Sequence, residues 1–120
     1  MFREFKIDYD FDADLLYCYD GKRHSKGSIE LGSLVIDFEK QGAVVGLEVF
    51  DASGYLSELT NRKVTKKALQ NITKAQFSST EKKGTLILKL ILPLEKENVP
   101  ATIAIQDMLY RSPLLARATA

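Results

Sequence analysis

The chain has 120 residues, 45% of them hydrophobic and 28% charged, which suits one domain around one core and excludes a disordered chain. Its formal net charge of +1 provides no strong field for DNA, RNA or an anionic membrane, so bulk electrostatics argue against a dedicated nucleic-acid binder. Cys18 is the only cysteine, which excludes an internal disulfide and gives no sign of an oxidising compartment.

The N-terminal stretch "MFREFKIDYD" carries Arg3, Glu4 and Lys6 where a secretory signal needs an unbroken apolar run, so a cytoplasmic location is expected. Within it, Phe5, Ile7 and Tyr9 alternate with Lys6, Asp8 and Asp10, the period of a half-buried strand. The polar turn "DFDAD" leads into "LLYCY", which predicts a hairpin with the first strand. "DGKRHSKGS" has no apolar period and reads as an exposed loop. "SIELGSLVIDF" resumes strand character, "EKQGA" turns with Gly42 free to take positive φ, and "VVGLEVF" closes a second hairpin.

At Asp51 the period changes, because Ala52, Tyr55, Leu56 and Leu59 recur at helical spacing. Asp51 or Ser53 is expected to accept hydrogen bonds from the first free N–H groups of that helix. "TNRKVTKKALQN" offers Val64, Ala68, Leu69 and Ile72 as apolar handholds and reads as a short helix or irregular connector. "ITKAQFSST", the glycine turn "EKKG" and "TLILKLILP" predict a third hairpin, its second strand central and covered on both faces or lying at a subunit interface. That apolar stretch is broken by Lys89 and Pro93 and falls far short of the roughly 20 residues of a spanning helix, so no membrane partner is expected. "VPATIAIQ" reads as a final strand with Pro100 tolerated at an edge, and "RSPLLARATA" as a fraying tail.

The stretches "YDFDADLLYCY" and "LVIDFEKQGAVVGLEVFDAS" resemble the small prokaryotic domain of unknown function DUF2283. The matching positions are Tyr9, Asp10, Asp14, Leu16 and Tyr17 in the first hairpin, then Ile36, Asp37, Gly42, Val45, Gly46, Glu48 and Asp51 to Ser53. The resemblance covers residues 1–60 and leaves 61–120, the connector and C-terminal strands, outside it. It implies a small cytosolic protein, one of a group in which some members would pair with a separate protein in a toxin and antitoxin arrangement, and it assigns no activity to any residue.

Asp10, Asp12 and Asp14 are the candidate cation ligands, but an EF-hand loop starting at Asp8 would need glycine and a bidentate acid where Ala13 and Tyr19 stand, and a start at Asp10 meets Leu15 and Gly21. A solvated turn whose Asp side chains bond their own backbone is the simpler reading. Two basic clusters, Lys22, Arg23, His24 and Lys26, and Arg62, Lys63, Lys66 and Lys67, could contact an anion or nucleic acid if the fold brought them together; solvated loops are the alternative. His24 is the only histidine and Cys18 alternates onto the face of Leu16. There is no P-loop, dinucleotide fingerprint or zinc spacing, and no cofactor is expected. Glu48 is a perturbed carboxylate if its face is covered and an ordinary polar residue if it is open.

These features predict a single α+β domain over residues 1–120, a mostly antiparallel sheet built from hairpins with one or two short helices packed on one face. The expected function is a noncatalytic, self-associating module, with a homodimer favoured and a separate protein partner as a further option. A small-molecule or metal binder or enzyme using the acidic turn, Glu48 and His24 is the alternative, and nucleic-acid binding through the basic loops a third.

Overall fold

The computed structural model describes residues 1–106. Eight strands run β1 (Arg3–Asp10), β2 (Leu15–Tyr19), β3 (Gly27–Leu31), β4 (Leu34–Phe38), β5 (Val44–Val49), β6 (Lys74–Lys82), β7 (Thr85–Leu94) and β8 (Glu97–Gln106). Two short helices, α1 (Ala52–Thr60) and α2 (Lys66–Gln70), stand between β5 and β6. All strands pair antiparallel in one curled sheet of order β3-β4-β5-β2-β1-β6-β7-β8.

The alternation read in "FKIDYD" and "LLYCY" sorts side chains between the two faces as expected. Phe5 and Ile7 on β1, Leu16 and Cys18 on β2, Ile36 and Phe38 on β4, and Leu47 and Val49 on β5 are buried in one core. Ala52 and Leu56 of α1 and Leu69 of α2 enter the same core, with Tyr55, Leu59 and Ala68 partly buried against it. Burying one such leucine is worth roughly 1.5–3 kcal/mol. The connector's handholds work as read, for Val64, Leu69 and Ile72 are buried and Ala68 is half-buried.

Three expectations are corrected. "SIELGSLVIDF" folds as two strands, because Gly32 takes φ 58° and reverses the chain, adding the short edge strand β3. Of the two readings of residues 85–94, the strand covered on both faces is corrected: among the described residues Leu86, Leu88, Leu90, Leu92 and Leu94 are buried, Ile87 and Ile91 half-buried, and Lys89 and Pro93 exposed. The reason is position, since β7 lies next to the edge and the core packs against one of its faces. Finally, Asp51 has left-handed φ 52° and its side chain does not cap α1; that task falls to Asp14.

The two groups of strands meet at β1 and β6, where Arg3 to Lys6 pair with Phe77 to Lys74. Phe5 and Phe77, both fully buried, stack there with ring centroids 4.2 Å apart, a contact worth about 0.5–1.5 kcal/mol beyond its buried area. Pro100 lies on β8, an edge strand, as its missing N–H led us to expect. The tail from Arg111 onward lies outside the described residues.

Candidate functional site

The turn between β1 and β2 delivers the Asp14 carboxylate to the start of α1. Asp14 has φ 52°, a left-handed conformation that Asp tolerates better than most residues. Its Oδ1 accepts hydrogen bonds from the Tyr9 hydroxyl at 2.6 Å and the Ser53 N–H at 3.1 Å, and its Oδ2 accepts from the Ser53 hydroxyl at 2.7 Å. The Asp14 carbonyl also accepts from the Ala52 N–H at 2.9 Å. Burial pushes the Asp14 carboxyl up, but the donors on Tyr9 and Ser53 and the Lys66 charge outweigh it and hold it below its ordinary value. Burial, and then Asp14 itself, drive the Tyr9 hydroxyl far upward.

A second group occupies the outer, convex face. Asp37 on β4 is only 8% exposed and accepts from the Ser28 hydroxyl at 2.5 Å. It pairs across from Gly46, where a Cβ would lie 2.6 Å from Asp37 Oδ2, so glycine is what makes room for the carboxylate. Beyond Asp37 the register shifts by a β-bulge, and Phe38 pairs with Val44. Glu48 is half-buried opposite Tyr17, and burial followed by the Asp37 charge raises its carboxyl. Burial and the same two carboxylates raise the Tyr17 hydroxyl, and Tyr17 stacks on Tyr19 at 4.7 Å between centroids.

The other sequence candidates are dispersed. Asp10 Oδ1 accepts from the Ala13 N–H at 3.1 Å, Asp12 is exposed and Asp14 serves α1. Among the described residues no group of three or more His, Cys, Asp or Glu side chains is gathered as a metal would need. His24 is exposed in its loop, whereas Cys18 is fully buried with its thiol pushed up to about 12 by burial. The two basic clusters sit at opposite ends of the β1–β2 hairpin, separated by the eight residues of β1, roughly 25 Å of strand. Lys66 lies over the Phe11 ring at 4.6 Å beside the turn, while Lys22 and Arg23 line a cavity of about 420 Å³ with Arg3, Lys6 and Gly21 at the other end. Arg62 and Lys63 line a separate cavity of about 410 Å³ against Leu94 and Val99, its rim crossed by an Arg62–Glu97 ion pair. Lys26, the last member of the first cluster, is exposed outside that cavity's lining, and Lys67 is exposed on α2. Arg3 and Lys6 stand in a strand far from "KRHSK", and three residues apart they lie on opposite faces of it, so no periodicity in the sequence groups them with that cluster.

Residues 6–53 match the protein family of unknown function DUF2283. An uncharacterised protein of Methanocaldococcus jannaschii is 33% identical over 98 residues, which cover 78% of each chain. The chain belongs to the DUF2283 family. A Methanosarcina mazei protein provisionally named hypoxanthine phosphoribosyltransferase is 26% identical over 87 residues, 71% of this chain and 66% of that one. No solved structure matches. The DUF2283 match begins within β1 and ends at Ser53, so it takes in both partners of the Asp14 carboxylate and the Asp37–Gly46 contact. The spacing of "YDFDAD" and "DAS" in the family pattern is thereby given a physical meaning: it joins the first hairpin to the helix that follows the second. Among the described residues, no helix is long and apolar enough to cross a membrane.

Proposed function

We propose that the protein is a noncatalytic, self-associating module that dimerises by pairing β8 of one copy with β8 of a second. In this reading the two helices close the concave face, and the contacts that matter to a partner lie along the rim of the sheet. The observation that carries it is the edge itself. β8 is ten residues long, no strand among the described residues pairs with its outer side, and residues 98–106 hold no charge. Soluble proteins guard long edges with charge or by keeping them short. The opposite edge, β3, is guarded in both ways, with five residues and Glu30. On β8, against which α1 packs, only Pro100 interrupts the hydrogen-bonding line, and residues 101–106 would pair about a two-fold axis near Ile103. The noncatalytic part of the reading is supported by the family residues Tyr9, Asp14 and Ser53, whose polar groups are spent on one another.

Native mass spectrometry and light scattering on the full chain test this. A dimer is expected for the parent protein and a monomer for Thr102→Lys/Ala104→Lys, which sets lysines opposite one another across the two-fold axis while leaving the buried face of β8 intact. A parent protein that stays monomeric at every concentration, or a double variant that stays dimeric, overturns the proposal.

A further inference from the structure

We propose that the cavity at the open end of the β1–β2 hairpin binds a small phosphate-bearing anion. Its volume of about 420 Å³ lies within the range of small-molecule sites. Arg3, Lys6, Lys22 and Arg23 line it against only Glu4 and Asp20, a local excess of two positive charges on a chain of net charge +1.

The cations are held in place from beneath. Asp20, with only 12% of its side chain exposed, receives Arg3 Nη1 at 3.1 Å and lies 3.8 Å from Arg23 Nε through Oδ2, while its Oδ1 accepts the Lys22 N–H at 3.0 Å. Arg3 Nη2 donates to the Val44 carbonyl at 2.9 Å, and Arg23 Nη1 reaches Glu39 at 3.6 Å. One carboxylate thus brackets two guanidinium groups, and each keeps N–H donors that these partners do not use. Ordering long basic side chains beforehand lowers the entropic cost of binding an anion. Lys6 and Lys22 have no carboxylate within ion-pairing distance among the described residues, so they remain available. The Lys6 chain lies across Gly21, where a Cβ would come within 3.0 Å of Lys6 Cε, and glycine there lets the ammonium reach the cavity. Convergent arginine and lysine donors around a doubly positive cavity match the charge and the several acceptor oxygens of a phosphate group better than a single carboxylate.

The test is a 1H–15N NMR titration of the full chain with inorganic phosphate, run against sodium chloride at matched ionic strength. Saturable shifts at the Gly21, Lys22 and Arg23 amides are expected. Affinity should fall at least tenfold in Lys6→Gln/Lys22→Gln, whose altered side chains are exposed, and stay within twofold in Arg62→Gln at the other cavity. Thermal unfolding of each variant checks that the fold is retained. Shifts that chloride reproduces, shifts centred on residues 62–67, or an unchanged affinity in the Lys6/Lys22 variant overturn the assignment. None of these readouts depends on dimerisation through β8.

Discussion

Asp14 holds a left-handed backbone conformation and three side-chain hydrogen bonds at once, so its neighbours must repay a local strain. Replacing it by alanine removes the cap of α1 and strands the Tyr9 hydroxyl; a loss of about 2–4 kcal/mol is expected from urea unfolding. Asp14→Asn keeps an acceptor and tolerates φ 52°, so it should cost clearly less. The same pair of variants has a pH signature. Because the folded carboxyl is held below its ordinary value of 3.8, its contribution is fully present above that value and is lost as pH falls through the folded one. Stability of the parent protein should therefore drop more steeply below about pH 4 than that of Asp14→Asn, measured as the urea midpoint against pH. Gly46 gives a second test at this scale. Gly46→Ala drives a methyl group against Asp37 and its bond to Ser28, and should cost about 1–3 kcal/mol, with part of the loss recovered when Asp37 is also changed to alanine.

At the scale of elements, "TLILKLILP" shows where a local reading stops. Its aliphatic run is equally compatible with a strand covered twice and with one that alternates, because isoleucine on a half-open face looks the same in sequence as leucine in a core. The alternation is testable: Leu88→Ala should cost about 2–5 kcal/mol through the cavity it leaves, and Ile87→Ala about 1 kcal/mol, in paired urea titrations. Equal costs would mean that the convex face of β7 is as deeply buried as the concave one. "SIELGSLVIDF" was misread as one stretch for a related reason. Ile29 and Leu31 continue the apolar alternation almost to Leu34, and only the positive φ of Gly32 reveals the reversal. The start of α1 was legible as a change of period at Asp51, but its cap was not, because the capping carboxylate lies 39 residues earlier.

For the whole molecule, the β1–β6 pairing decides what the parts become. It fuses the family-defined strands to β6, β7 and β8, and leaves two edges of very different character. If β8 pairs with a second copy, the unfolding temperature of the parent protein should rise with protein concentration, while that of Thr102→Lys/Ala104→Lys stays constant, as differential scanning fluorimetry across a dilution series would show. A concentration-independent midpoint for both would remove β8 as an association surface.

By itself the sequence determined the antiparallel strands other than β3, the helix after Asp51, the connector's buried handholds and the family, because these follow from short-range period, turn chemistry and a local pattern of residues. Tertiary structure alone decided that Asp14 caps α1, that Gly46 makes room for Asp37, that the two basic clusters stand apart, and that Arg3 and Lys6 join Lys22 and Arg23 around one cavity. Each of those outcomes depends on which strands lie side by side. Residues distant along the chain meet only through strand order and register, which side-chain periodicity does not encode.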